Sequence, residues 1–354
     1  MKRRWKVLLG AGGVLLVLAL VPIVTIETQC RAPVEGLETQ GYKPQLKDAA
    51  WQRDESRTWL TYPEWYIVYS AESFGQFLKT RPPSGYHYAR DIRGFWQSYC
   101  AMNQASAGRA GADARIMLYT IGLSYSAELM VKAAYENTIG RLSELIGGYK
   151  SADDAYATRV QQRYGAFMHE TPWYEFPFGQ AFSGLWNTKE PHAKFRHWER
   201  RLALSAEYGV KAGYAKAIGA ASGASLGRDE RTLRMIVSGN PQAVDSRFKV
   251  VGPAGKGLLT VEAPRYAQFT DLLSKLSASH VELVEISGND DIFVTLLLPP
   301  KAAVPGPSVH LLTTDLDEPA GWRRVGVSTK VADVLDIIRQ SQAEGGRLEH
   351  VYDY

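Results

Sequence analysis

From Leu8 to Ile26 the chain reads LLGAGGVLLVLALVPIVTI, with no charged residue, directly after Lys2, Arg3, Arg4 and Lys6. At a helical rise of about 1.5 Å per residue, this run is long enough to cross a bilayer core of about 30 Å. The basic flank assigns the N-terminus to the cytoplasm and everything after Thr28 to the far side. A cleaved signal peptide fits less well. Its apolar region is about 7–15 residues long and ends in a small-x-small site, which Ile26-Glu27-Thr28-Gln29 does not offer. A lipoprotein signal fits poorly too, because Glu27, Thr28 and Gln29 precede Cys30. The expectation is an uncleaved single-pass signal-anchor in a bacterial-type inner (plasma) membrane. Residues 8–26 would contact membrane lipid, and the bulk of the chain would be periplasmic or extracellular.

The four cations of the stub equal the whole formal net charge of +4, so the rest of the chain is neutral. A nucleic-acid footprint, which needs clustered surplus cations, is therefore not expected. The two cysteines, Cys30 and Cys100, both fall on the expected outer side, where an oxidising compartment allows them to pair. A bridge across a loop of that length would contribute about 4 kcal/mol in the chain-entropy account. Two buried free thiols are the alternative.

Patterning divides the remainder into an irregular exit segment (29–58), an aromatic-rich helical domain (59–228) and an α+β domain (229–354), following the stub and anchor (1–28). Thr61-Tyr62-Pro63-Glu64 has the form of a capping box opening a helix. Ser70 is expected to cap a second helical piece. Ile92, Phe95, Trp96 and Tyr99 fall at core spacing on one helix over 88–103. Residues 113–146 read as a long helix on which Glu128 and Lys132 form an exposed i, i+4 pair. Ser151, with Asp153 and Asp154, opens the helix over 151–168. Residues 191–221 form a further long helix, in which Gly209 and Gly213 suggest a thin face packed tightly on its neighbours.

After Gly227 the period changes from 3.6 to 2. Strands are expected near 232–237, 247–252, 257–263, 280–287, 291–298, 308–314, 322–328 and 347–352. Helices are expected from Pro264 to about Ser277 and after Thr329. Turns at Gly288-Asn289-Asp290 and Glu318-Pro319-Ala320-Gly321 would close two hairpins. The fold class is α+β: a mainly helical domain, then a mostly antiparallel sheet with helices on one face, as in a ferredoxin-like sandwich.

Signals for chemistry are sparse. Gly223-Ala224-Ser225-Leu226-Gly227 matches a nucleophile-elbow pattern, but that elbow needs a strand before its serine and a helix after it. Here a small-residue helix precedes it and a strand follows. His192 and His197, five apart, point to different sides of a helix, and no metal-ligand or cofactor motif occurs. The candidate titratable residues are His169, Glu170 and Glu175, since a carboxylate beside aromatics has a raised pKa if desolvated. The aromatics Trp173, Phe178, Phe182 and Trp186 allow two readings: a segment in the membrane headgroup layer, or a wedge into the helical core. The function expected is a non-enzymatic interaction or assembly module of the cell envelope, with an envelope protein as partner and no cofactor. The alternative is an envelope enzyme or lipid-handling protein with a pocket among the aromatic-rich helices.

Overall fold

Period-3.6 and period-2 segments of the sequence become, respectively, the helices and strands of the computed structural model, which describes residues 20–37, 41–189, 192–222 and 231–354. Residues 20–29 are helical (α1). There follow α2 (Arg57–Leu60), α3 (Tyr62–Phe77), α4 (Tyr88–Ala105), α5 (Ala112–Tyr135), a π-helical turn (Glu136–Gly140) and α6 (Arg141–Gly147). Then come α7 (Ala152–Met168), α8 (Phe178–Trp186) and α9 (Lys194–Ser222). The C-terminal part holds β1 (Thr232–Ser238), β2 (Lys249–Gly255), β3 (Leu258–Pro264), α10 (Tyr266–Leu276), β4 (Glu282–Ile286) and β5 (Asp291–Leu298). It closes with β6 (Val309–Asp315), β7 (Arg323–Lys330), α11 (Val334–Ala343) and β8 (Arg347–Tyr352). The chain is α+β, mostly helical before β1 and built on two antiparallel sheets after it.

Two compact units form. The first combines Met1–Glu64, Gly94–Ser124 and Thr232–Tyr354; the second combines Trp65–Arg93 and Tyr125–Arg231.

In the first unit the strands do not form the single sheet of a ferredoxin-like sandwich. They form two four-stranded sheets, ordered β2-β3-β1-β4 and β6-β7-β5-β8. Each is a β-β-β-α-β run with the same antiparallel pairings. Register shifts recur at matching places, between Ile236 and Val237 against β4 and between Thr295 and Leu296 against β8. The motif is thus duplicated. Gly288-Asn289 does not close a β4–β5 hairpin; the chain changes sheets there, with only an isolated Ile286–Asn289 bridge. The reason lies in β5, which is buried along its whole length. Ile292, Val294, Leu296 and Leu298 enter the core shared by both sheets, α10 and α11. Phe293 turns the other way, against the rings of Tyr62 and Tyr352 at 5.4 and 4.9 Å. Alternate side chains thus need cover on both faces. The β6–β7 pair is joined through the Glu318–Gly321 segment.

The segment before α3 belongs to this core. The Thr58 hydroxyl donates to the Tyr352 carbonyl (2.6 Å) and accepts from the Phe293 amide (2.9 Å). The buried Glu285 carboxylate accepts from the Tyr42 hydroxyl (2.7 Å) and the Leu46 amide (2.9 Å). Ile26, Leu60, Tyr99 and Leu118 pack together around a disulfide joining Cys30 and Cys100, whose Cα atoms are 5.0 Å apart. The expected capping box is absent. Thr61 follows α2 directly, and its hydroxyl donates back to Arg57 O (3.0 Å), so it has no free turn to cap.

In the second unit α3 continues through Ser70, whose hydroxyl is engaged by the buried Asp91 and by Tyr125 instead of capping a helix. The capping box of α7 is present, with Ser151 and Asp154 bonding reciprocally. Phe74, Tyr86, Tyr88 and Leu129 form one apolar cluster, and Val160, Phe176, Phe178, Leu185, Leu204 and Tyr208 form another. Gly209 and Gly213 face open space and do not line a tight helix contact.

The expected anchor lies mostly outside the described residues; of it, 20–26 are helical, and Ile26 is buried. Among the described residues no helix is long and apolar enough to cross a membrane. The Gly223–Gly227 pattern also lies outside the described residues.

Candidate interaction site

Helix α9 begins KFRHWERRLALSAEY, and its first turns can be split into two stripes at helical spacing. Arg196, Glu199 and Arg200 occupy one; Phe195, Trp198 and Leu202 occupy the other. A helix on a water-exposed body ordinarily buries the second stripe. Here the reverse holds: Arg196 is 0 % and Arg200 3 % exposed, whereas Trp198 is 53 % and Leu202 65 % exposed.

The inward charges are satisfied by α5, the π-helical turn and α7. Arg196 grips both oxygens of Asp154, Nη2 to Oδ1 at 2.7 Å and Nε to Oδ2 at 3.1 Å. Its Nη1 donates to the Gly140 carbonyl (3.1 Å) and to Glu199 (3.2 Å). Arg200 bridges Glu136 (2.9 and 3.2 Å) and Glu199 (2.8 Å), and the Tyr135 hydroxyl donates to Glu199 at 2.6 Å. The π-helical turn carries both Glu136 and the Gly140 carbonyl, so its wider loop sets two of the network's acceptors. Two turns further along α9, Lys132 and Lys211 donate to Glu207 at 2.9 and 3.2 Å, and Lys211 also reaches Glu128 at 2.8 Å. The expected Glu128–Lys132 pair is therefore exchanged for two contacts to α9. Burial opposes charge on Glu199 and on Glu207. Arg200 nevertheless holds Glu199 below the usual carboxylate range, and Lys132 and Lys211 pull Glu207 down to about 2. Elsewhere, buried Asp153 receives His197 and the Thr188 hydroxyl.

Among these charges is a cavity of about 50 Å3, lined by Phe74, Lys132, Glu136, Asp154, Arg200 and Glu207, among others. Sites for organic ligands measure roughly 300–1,000 Å3. This one has room for a few water molecules.

The outward stripe of α9 is extended by α6, which packs along it. A Cβ on Gly147 would lie 2.8 Å from Arg196 Cβ, so only glycine permits this approach. On α6, Leu142, Leu145 and Ile146 are all exposed, Leu145 by 71 %. Trp186 of α8 joins at 6.4 Å from Trp198, with the Arg201 guanidinium 5.2 and 5.8 Å from their ring centres. Trp186 is further fixed by Nε1 donating to Ser205 Oγ at 3.0 Å. The result is a preorganised apolar and aromatic face over an ionic interior.

The expected site residues are placed separately. His169 lies beside the Trp65 and Tyr69 rings (5.7 and 6.2 Å), with Nε2 3.3 Å from Glu72, while Glu170 and Glu175 are exposed to water. The aromatic stretch is divided. Phe178 lies in the core, Trp173 stacks half-buried on Tyr214 at 5.4 Å, and Phe182 and Trp186 are exposed. Sequence reading missed the stripe of Phe195, Trp198 and Leu202 and the network beneath it. The signal was there in two interleaved stripes, but spacing does not say which one faces inward. Among the described residues no group of three or more His, Cys, Asp or Glu is arranged to hold a metal. No protein-family model matches the chain, and no curated protein or solved structure matches it either.

Proposed function

We propose that this chain is a single-pass membrane-anchored extracytoplasmic protein acting as a non-enzymatic interaction or assembly module of the cell envelope. Its docking surface is the outward face of α6 and α9. One observation carries the reading: the first turns of α9 bury Arg196, Glu199 and Arg200 while exposing Phe195, Trp198 and Leu202. Burying ions costs several kcal/mol each before their pairing offsets it, and a contiguous exposed apolar patch marks a contact site. An arrangement that bears both costs is accounted for if the outer face is covered in the cell.

The anchor reading rests on the uncharged run Leu8–Ile26 behind Lys2, Arg3, Arg4 and Lys6. The Cys30–Cys100 disulfide suits an extracytoplasmic body. A photoreactive residue replacing Leu145 or Leu202 in the full chain, activated in cells, tests the reading. Discrete adducts, to protein or to lipid, are expected at both positions and not at Lys256 in the exposed β2–β3 turn. Absence of adducts at both positions refutes it.

A further inference from the structure

We infer that the outward face of α6 and α9 docks on the headgroup layer of an anionic lipid bilayer. This deepens the reading of that face as the chain's interaction surface and rests on it.

The composition of the face is the first argument. Phe195, Trp198, Leu202, Leu142, Leu145 and Ile146 present apolar side chains, with Trp186 at the edge. Tryptophan is enriched at the membrane–water boundary, where its ring meets acyl chains and its N–H stays hydrogen bonded. Trp186 already has that bond, to Ser205.

The second argument is charge. Among the described residues, the exposed ionic residues on and beside the two helices that have no carboxylate paired to them include Lys150, Lys189 and Lys194, all cationic; Glu190 follows Lys189 in the sequence. Arg141 and Glu144 of α6 pair at 2.8 Å, with Ser84 also bonded to Glu144, and so add no net charge of either sign. An interface-lying surface combines an apolar face with a lysine- and arginine-rich border, and each cation near an anionic leaflet contributes about 1 kcal/mol. The stretch 171–186 alone lacks such cations. They come from the loop after α6, from the loop after α8 and from the start of α9, a grouping only tertiary packing creates.

The third argument is availability. The chain itself carries the uncharged run Leu8–Ile26, so a bilayer is the one partner it is expected to bring with it.

The test uses the full chain in phosphatidylcholine vesicles containing about one-third phosphatidylglycerol. Cys30 and Cys100 are bridged, so a single introduced cysteine at Leu202, at Leu145 or, as control, at Lys256 takes an environment-sensitive fluorophore. Spin-labelled lipids with the quencher near the headgroup should quench the Leu202 and Leu145 labels at least about twofold more than the Lys256 label. Lys189→Gln and Lys194→Gln should each lower the docked-to-undocked ratio about fivefold, and pure phosphatidylcholine should lower it further. Because these substitutions are on exposed positions, folding is preserved. Quenching equal at all three sites, or a chain that stays off the vesicles, overturns the lipid assignment. If that happens while the photoreactive residues still give a protein adduct, the docking face stands with a protein as its occupant. If adducts are missing too, both readings fall.

Discussion

Replacing Arg200 with methionine tests the buried network directly. The substitution keeps an unbranched apolar stem of similar reach but removes the guanidinium that joins Glu136 to Glu199. Glu136 is 5 % exposed and loses both hydrogen bonds it receives. Glu199 keeps Arg196 at 3.2 Å and Tyr135 at 2.6 Å, so it is only partly stranded. Breaking a buried pair from one side costs about 3–5 kcal/mol. With one carboxylate fully stranded and the other still bonded, the lower end applies, about 3 kcal/mol. Native-state hydrogen exchange read on α9 peptides is the suitable assay, because it reports local opening. A loss of this size speeds the slowest α9 amides about 150-fold. Adding Glu136→Leu removes the stranded charge and should restore protection to within about 1 kcal/mol, since apolar replacement of a buried pair is commonly neutral. An acceleration below about fivefold would mean that the network is as weak as a surface ion pair. Failure of the second substitution to rescue would mean that the loss comes from packing and not from stranded charge.

Two other outcomes follow from the same physical reasoning. Replacing both Cys30 and Cys100 with serine opens a loop spanning 70 positions and should lower the stability of the first unit by about 4 kcal/mol; thermal unfolding with and without reductant checks it, and equal midpoints for the oxidised chain and the variant would contradict it. Glu207, with its pKa pulled to about 2, stabilises the second unit above its unfolded value of 4.5, and that contribution is lost as pH falls through about 2. Between pH 5 and pH 2 the stability advantage of the chain over Glu207→Gln should therefore shrink by about 3 kcal/mol, measured by urea unfolding at each pH; an advantage that does not change would refute the pairing with Lys132 and Lys211.

Local chemistry was legible from residue order. The period-2 segments after Gly227 became eight strands, and Ser151 caps α7 with Asp153 and Asp154 in its first turn as expected, Asp154 bonding back to it as well. Such features depend on alternation along a strand or on contacts within a turn, and a cap forms where the turn is free, as at Ser151, but not at Thr61, which closes α2 instead. The division into two sheets was not legible. A wholly buried strand such as β5 is compatible with one covered sheet or two, and its register partners are far away in the chain. Lys132 shows the same limit for charge. Its neighbour Glu128 was in reach at i−4, yet Glu207, 75 residues on, took it because α9 packs there. The docking face depended most on tertiary packing. Residues 195–202 carry an apolar and an ionic stripe with the same helical period, and periodicity records spacing but not side. The carboxylates of Glu136 and Asp154, supplied from the π-helical turn and α7, turn the arginines inward and leave Phe195, Trp198 and Leu202 facing out.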